Sequence, residues 1–158
     1  MAYDTTEAVA KFLSGFQMKI TNRERDTVAP DYYVKYSLTL SKGGKDFSTT
    51  FVSDGEPTVT QVFSALADDA LTLRKYSTDE FVDKLYAQGV KPSAALRAYD
   101  SCKETNLWMQ DELCLSGWEI EEISKTLTKY EDEVNTLVEK AASERAARYA
   151  YARRGGGF

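Results

Sequence analysis

The amino-acid sequence predicts an α+β fold, in which an N-terminal helix and a three-stranded antiparallel sheet precede a helical region of three helices and a long amphipathic C-terminal helix. Two patterns predict it. Between about residues 17 and 53, apolar and polar side chains alternate, which is the period of a half-buried strand. Beyond residue 58, apolar side chains recur at steps of three and four, which is the period of a helix face. With 158 residues and 42% hydrophobic content, the chain is large and apolar enough to form a core.

The N-terminal part contains one predicted helix and three predicted strands. The helix is expected over residues 4–15, followed by strands over 17–25, 32–40 and 46–53. The apolar face of the helix consists of Val9, Phe12, Leu13 and Phe16. The central strand alternates most clearly, with apolar positions at Tyr32, Val34, Tyr36, Leu38 and Leu40. A Gly-Gly pair at 43–44 fits a two-residue hairpin, because a type I′ turn needs positive φ at both positions.

Helix-start and helix-end signals divide the region that follows residue 54. Thr58 with Gln61, and Ser77 with Glu80, each match the capping-box pattern that opens a helix. Gly89 is placed to end the second of these helices in a left-handed conformation.

A third helix is expected to begin at Pro92, a residue that suits the first helical turn. Its apolar and weakly polar positions are Leu96, Tyr99, Cys102, Leu107, Met109 and Leu113. Both cysteines, Cys102 and Cys114, fall in this predicted helix. Twelve residues of helix separate them by roughly 18 Å, which is too far for a disulfide. We therefore expect reduced thiols, unless a second chain supplies the partner of a disulfide.

The last helix follows a break at Ser116 and Gly117 and carries a heptad pattern. Its apolar positions, spaced by alternating steps of three and four, are Ile120, Ile123, Leu127, Tyr130, Val134, Leu137 and Ala141. Such a stripe either packs on the chain's own sheet and helices or pairs with a second copy of the chain. About 30 residues of helix span roughly 45 Å, longer than a small domain is wide. We therefore favour a homodimer that covers the stripe.

These patterns predict three parts of the chain. Residues 1–116 form an α+β domain, residues 117–150 form the long amphipathic helix and possible dimerisation element, and residues 151–158 form a flexible, basic, Gly-rich tail.

The chemistry available to the chain is restricted, because it contains no His. The usual general base near neutral pH, the commonest zinc ligand and the Ser–His and Cys–His nucleophile pairs are thereby excluded. No phosphate-binding or dinucleotide-binding Gly-rich loop is present. We expect a protein that is not an enzyme and that holds no cofactor and no metal. A small enzyme would have to use carboxylates, Lys or Tyr.

No apolar run approaches the roughly 20 residues of a membrane span. The first residues also lack the basic and apolar regions of a secretory signal. We expect a cytoplasmic protein without membrane contact.

Charge is distributed unevenly along the chain, whose net charge is −5. Residues 54–133 hold 8 basic and 17 acidic residues, whereas residues 134–158 hold 5 basic and 2 acidic ones. Uneven charge of this kind guides the choice of a partner. As candidate partner-binding residues we select the exposed charges and one aromatic, which are Arg23, Arg25, Tyr33, Lys35, Asp68, Asp69, Glu119 and Glu122. The alternative for each is an ordinary solvated surface.

Basic residues near aromatic ones also suit single-stranded nucleic acid. The strand that carries Arg23 and Arg25 is one such place, and the C-terminal region is another. Four arginines form the candidate nucleic-acid surface there: Arg145, Arg148, Arg153 and Arg154. Arginines near the end of a helix also complement its dipole, so the pattern alone does not decide between the two roles.

The segment DEFVDKLYAQGVKPSAALRAYDSCKETNLWMQDEL and the hairpin segment YYVKYSLTLSKGGK carry a family resemblance. The helix spacing within it runs through Ala94, Ala98 (or Ala95), Tyr99 and Cys102. Over roughly residues 5–123, the chain resembles small, uncharacterised α+β proteins of bacteriophages and mobile elements. Some phage proteins of this size inhibit host defences, anti-CRISPR proteins among them. The motifs are structural, so the resemblance implies no catalytic residue. The long last helix looks like an addition to the pattern.

Together these expectations favour an inhibitor of a host defence factor, encoded by a phage or mobile element and similar in kind to anti-CRISPR proteins. It is expected to bind a host protein or ribonucleoprotein effector in the bacterial cytoplasm, without catalysis. The alternative is a single-stranded nucleic-acid-binding accessory protein that uses the basic strand face and the C-terminal tail.

Overall fold

The computed structural model describes residues 5–28 and 31–155, and the side chains of these residues up to 148. The elements confirm the predicted α+β fold: a helix, a three-stranded antiparallel sheet, and then helices that end in a long one. In chain order they are α1 (Thr6–Leu13), β1 (Gln17–Arg25), β2 (Val34–Lys42), β3 (Lys45–Ser53), α2 (Val59–Lys75), α3 (Thr78–Ala87), α4 (Pro92–Leu107), a π-helical turn (Trp108–Glu112) and α5 (Gly117–Gly155). Within the described residues, no helix is both long and apolar enough to cross a membrane.

The described residues fall into two compact units. The first unit combines the residues up to Thr60 with those from Thr126 onward, and the second unit runs from Gln61 to Lys125. The expected boundary at residue 116 does not appear in this division, because the first turns of α5 belong to the helical second unit and the rest of α5 belongs with the sheet. Helix α5 also continues to Gly155, beyond the expected end at residue 150, and residues 156–158 of the expected tail lie outside the described part.

The sheet of the first unit has the order β1-β2-β3, with both pairs antiparallel. Its inner face is apolar, because Tyr36, Leu38 and Leu40 of the central strand are 5%, 1% and 0% exposed. The intervening residues of β2 point to the opposite, polar face, as the sequence alternation predicts. The hairpin between β2 and β3 has φ of 60° at Gly43 and 79° at Gly44, which confirms the predicted turn.

A β-bulge interrupts the pairing of β1 with β2. Ile20 pairs with Leu38, but Asn22 pairs with Ser37, so Thr21 is the extra residue. The Thr21 hydroxyl donates to the carbonyl of Ser37 at 3.0 Å. Because one extra residue reverses the alternation of faces, every β1 side chain after the bulge points to the face opposite to the one that simple alternation predicts.

Two helices that begin in the second unit, α3 and α5, open with a capping box. Ser77 and Glu80 form the predicted capping box at the start of α3, with both reciprocal hydrogen bonds present. Gly89 has φ of 89° after the end of this helix, as expected. The same S-x-x-E pattern opens α5: the Ser116 hydroxyl accepts from the amide of Glu119, and the Glu119 carboxylate accepts from the amide of Ser116, both at 3.1 Å. The box at Ser116 and Glu119 was not predicted from the sequence.

One prediction about the cysteines is wrong. Cys102 is buried in α4, but Cys114 is exposed and lies after the π-helical turn, with φ of 58° in the left-handed region. The turn ends the helix, since the amide of Leu113 donates to the carbonyl of Trp108 five residues earlier. Both thiols are free.

Helix α5 bends at Tyr130, whose φ of −128° and ψ of 31° are not helical. The acidic residues Glu131, Asp132 and Glu133 follow this break. They occupy the first turn of the second helical segment, where negative charge stabilises the positive end of the helix dipole. The heptad pattern predicted an uninterrupted helix here.

Candidate interaction surfaces

The predicted basic surface on the strands does not converge on one face of the sheet. After the bulge, Arg23 pairs with Tyr36, and Arg25 pairs with Val34. Directly opposed residues of an antiparallel pair share a face, so both arginines lie on the side of Tyr36. Lys35 pairs with Glu24 instead and lies on the opposite, polar side. The sequence reasoning placed these cations together, because it did not anticipate the bulge.

Acidic neighbours also partly neutralise the positive charge of Arg23 and Arg25. Arg23 forms an ion pair with Glu56 at 2.5 Å, and Arg25 forms one with Asp31. Both pairs are largely exposed and therefore contribute little to stability, but they lower the positive potential that a phosphate would meet. Tyr33 stacks on the neighbouring Tyr32, with ring centroids 4.8 Å apart.

Three of the four predicted acidic residues of the partner surface are engaged in local contacts. Ser124 donates to the Asp68 carboxylate at 3.2 Å, Glu119 caps α5, and Glu122 contacts Lys125 at 3.5 Å. Burial raises the pKa of Asp69, and the neighbouring charge of Asp68 raises it further. Among the described residues, no three acidic or thiol side chains form a group that could hold a metal ion.

Burial and the charge of Asp69 raise the pKa of the Cys102 thiol to about 11. The thiolate, which is the reactive form, is therefore scarce near neutral pH, and Cys102 is poorly suited to act as a nucleophile.

Most of the heptad stripe of α5 is already covered within one copy of the chain. Ile120, Ile123, Leu127 and Val134 are at most 1% exposed, Leu137 and Ala141 are half-buried, and Tyr130 is 42% exposed. A second copy is therefore not needed to remove most of this stripe from water. Dimerisation through these residues stays a prediction.

Of the four arginines in the predicted nucleic-acid surface, two have described side chains. Arg145 donates to the backbone carbonyl of Ser14, at the end of α1, and Arg148 is exposed. The side chains of Arg153 and Arg154 lie outside the described part of the chain.

Helix α4 carries an exposed stripe that the sequence analysis did not select. Leu96 and Leu107 are 47% and 54% exposed, and Asp100 and Lys103 lie between them, also exposed. Steps of four, three and four residues place all four on one helix face. The buried face of α4 instead contains Ala95, Cys102 and Thr105. We call Leu96, Asp100, Lys103 and Leu107 the α4 stripe. In the sequence, Leu96 and Leu107 fall in one set with Cys102 and Met109, which are buried, because spacing does not distinguish them.

A second feature missed by the sequence analysis lies at the junction of α2 and α3. Tyr76 precedes the N-cap Ser77, and Phe81 is the fourth residue of α3, so the two occupy the positions of a hydrophobic staple. Lys84 donates to the Tyr76 hydroxyl at 2.8 Å, and its nitrogen lies 4.6 Å from the centroid of the Tyr76 ring. The capping box was a usable signal for this junction, but its flanking residues were not considered.

Tyr76, Phe81 and Lys84 line a cavity of about 280 Å³. Thr72, Leu85 and Gln88 complete the lining. The hydrogen bond from Lys84, and then the positive charge of Lys84, lower the pKa of Tyr76. The Tyr76 hydroxyl and the Lys84 ammonium thus lie beside an apolar wall. A few polar groups beside apolar side chains are the usual composition of a small-molecule site.

No family model matches the chain, and comparisons with curated proteins and with solved structures find no significant match either. The resemblance to phage proteins accordingly stays a prediction.

Proposed function

We propose that this protein inhibits a host defence factor by protein–protein binding and is encoded by a phage or mobile element. The proposed partner is a protein or ribonucleoprotein effector in the bacterial cytoplasm, such as a CRISPR effector. The observation that supports binding best is the α4 stripe, where Leu96 and Leu107 are 47% and 54% exposed.

The α4 stripe has the composition of a small interface. Two leucines roughly 16 Å apart along the helix provide apolar anchors. Asp100 and Lys103 between them provide one charge of each sign, which favours a partner with complementary charges. Leucines at this spacing lie on one helix face, as they do in amphipathic helices that bind in an apolar groove of a partner.

The test is whether the protein protects an infecting phage. We expect that expression of the chain in bacteria with an active CRISPR system restores the plating of a targeted phage. The double variant Leu96→Gln/Leu107→Gln should reduce this protection about tenfold or more, because it removes both anchors. Glutamine and leucine have similar helix propensities, so α4 should still form.

Val28→Gln is the matched control, because Val28 is 94% exposed in a loop and lies outside the stripe. It should protect phage like the unchanged chain. Capture from bacterial lysate that returns no defence component, together with no protection against any CRISPR type tried, would contradict the proposal. If the double variant still protects phage, the inhibitor proposal stands, but the α4 stripe is not its binding surface.

The nucleic-acid alternative is less well supported. Arg23 and Arg25 carry acidic partners, Lys35 lies on the other face, and Arg145 is occupied by a backbone carbonyl. A gel-shift assay at low salt distinguishes the alternatives, since phosphate binding weakens steeply as salt rises. A salt-sensitive shift with single-stranded DNA or RNA would favour the alternative.

A further inference from the structure

The cavity at the junction of α2 and α3 combines hydrogen-bond donors with an apolar wall. Phe81 and Leu85 supply the wall, and Phe81 is held by the ring of Tyr99 at a centroid distance of 5.6 Å. Phe81 is only 9% exposed, so this wall is already largely formed. A site that is largely preformed does not spend binding free energy on ordering these side chains.

Two of the polar side chains that line the cavity, Tyr76 and Lys84, can donate hydrogen bonds to a ligand. The Tyr76 hydroxyl oxygen accepts from Lys84, so the phenol proton is available to a further acceptor. The Lys84 ammonium has three donors, of which Tyr76 receives one. Thr72 uses its own hydroxyl proton on the backbone carbonyl of Asp68. Among the described residues that line the cavity, Lys84 is the only charged one.

Donors beside a single positive charge fit an anionic group that only accepts hydrogen bonds, and a carboxylate is such a group. The lowered pKa of Tyr76 makes its hydroxyl a stronger donor. The volume of about 280 Å³ lies just below the usual range for ligand pockets, which limits the occupant to a small molecule.

We propose that this cavity binds a small monocarboxylate, whose carboxylate accepts hydrogen bonds from Tyr76 and Lys84 while its apolar body packs on Phe81 and Leu85. The site shares no residue with the α4 stripe. Failure of one proposal therefore leaves the other intact.

The experiment is an NMR titration of the full chain with phenylacetate, following the methyl signals of Leu85. We expect saturable shifts, and binding of the uncharged phenylacetamide that is weaker by about tenfold, which is the scale of one charge-assisted hydrogen bond. Lys84→Gln should weaken phenylacetate binding by about the same factor. Tyr76→Phe should weaken it by a smaller factor, because the charge remains.

Lys19→Gln is the matched control, because Lys19 is an exposed lysine of β1 that belongs neither to the cavity nor to the α4 stripe. It should leave the affinity for phenylacetate unchanged. Equal binding of phenylacetate and phenylacetamide, unchanged affinity in Lys84→Gln, or the absence of saturable shifts would each overturn the proposal. A loss of affinity in Lys19→Gln as large as that in Lys84→Gln would also overturn it, since general charge attraction would then explain the binding.

Discussion

Lys42 and Lys84 each place an ammonium group over an aromatic ring, but their surroundings differ. The Lys42 nitrogen lies 3.6 Å from the centroid of the Phe12 ring and 5.1 Å from that of Phe16, and it donates to the Phe12 carbonyl at 2.9 Å. Burial lowers the pKa of Lys42. Lys84 is exposed, lies over one ring and donates to a hydroxyl at the edge of an open cavity.

The difference shows how the same pair of groups serves two purposes. At Lys42 the partner is a backbone carbonyl in the last turn of α1, where a cation also complements the helix dipole. Lys42 therefore joins β2 to α1. At Lys84 the partner is a hydroxyl that keeps its own proton to donate, so the pair is suited to a ligand.

Replacing Lys42 should have the largest effect on stability. Lys42→Met keeps an apolar stem but removes the charge-assisted hydrogen bond and the contacts with two rings, so we expect a loss of about 1.5 kcal/mol in the free energy of unfolding. Urea unfolding measures it. Lys19→Met, at an exposed position of β1, is the control and should change stability by less than about 0.5 kcal/mol. A more stable Lys42→Met would mean that the cost of burying the ammonium exceeds these contacts.

Removing the N-cap of α3 tests whether the capping box holds Tyr76 and Phe81 in position. Ser77→Ala should cost about 1 kcal/mol, because Ser77 is the N-cap of the capping box. It should also shift the NMR signals of Tyr76 and Phe81, whose positions depend on this turn. Ser93→Ala is the control, since Ser93 lies in the first turn of α4, whose N-cap makes no side-chain hydrogen bond. Equal losses in both variants would contradict the role of the box.

Local rules predicted the parts of the fold that depend on neighbouring residues. The alternation in β2, the Gly-Gly turn and the box at Ser77 all follow from spacing, and all are present. The bulge at Thr21 does not follow from spacing, and it moves Arg23 and Arg25 to the other face. Arg23 and Arg25 therefore do not share a face with Lys35, and partner binding by these residues stays a prediction.

Apolar spacing was less informative about the helices, because it identifies a stripe but not what covers it. The heptad positions of α5 are mostly buried in one copy, whereas Leu96 and Leu107 of α4 are exposed. Tyr76 and Lys84 lie eight residues apart across a helix start, so the contact depends on the path of the chain between them. A pattern of residue types does not contain that path.

The pH dependence of stability tests whether Lys42 is desolvated in the folded chain. Because burial lowers the pKa of Lys42 below its ordinary 10.5, the folded chain releases this proton at a lower pH than the unfolded chain. The unfolded state then binds more protons in this window, and stability rises with pH. Between the lowered pKa and 10.5, the unchanged chain should gain stability relative to Lys42→Met. A constant difference across this range would show that Lys42 is not desolvated.

Replacing Lys84 should affect stability least and should act instead on the phenol beside it. The hydrogen bond from Lys84 is the main cause that lowers the pKa of Tyr76, and the charge of Lys75 is a weaker one. Lys84→Gln should therefore raise the pKa of Tyr76 toward its ordinary 10.0, Lys75→Gln should raise it by less, and Lys103→Gln should leave it unchanged. NMR titration with labelled tyrosine measures all three. If Lys75→Gln matched Lys84→Gln, general charge and not the hydrogen bond would control Tyr76. The comparison of Lys84 with Lys42 would then lose its basis, because the distinction rests on the specific contact that each lysine makes.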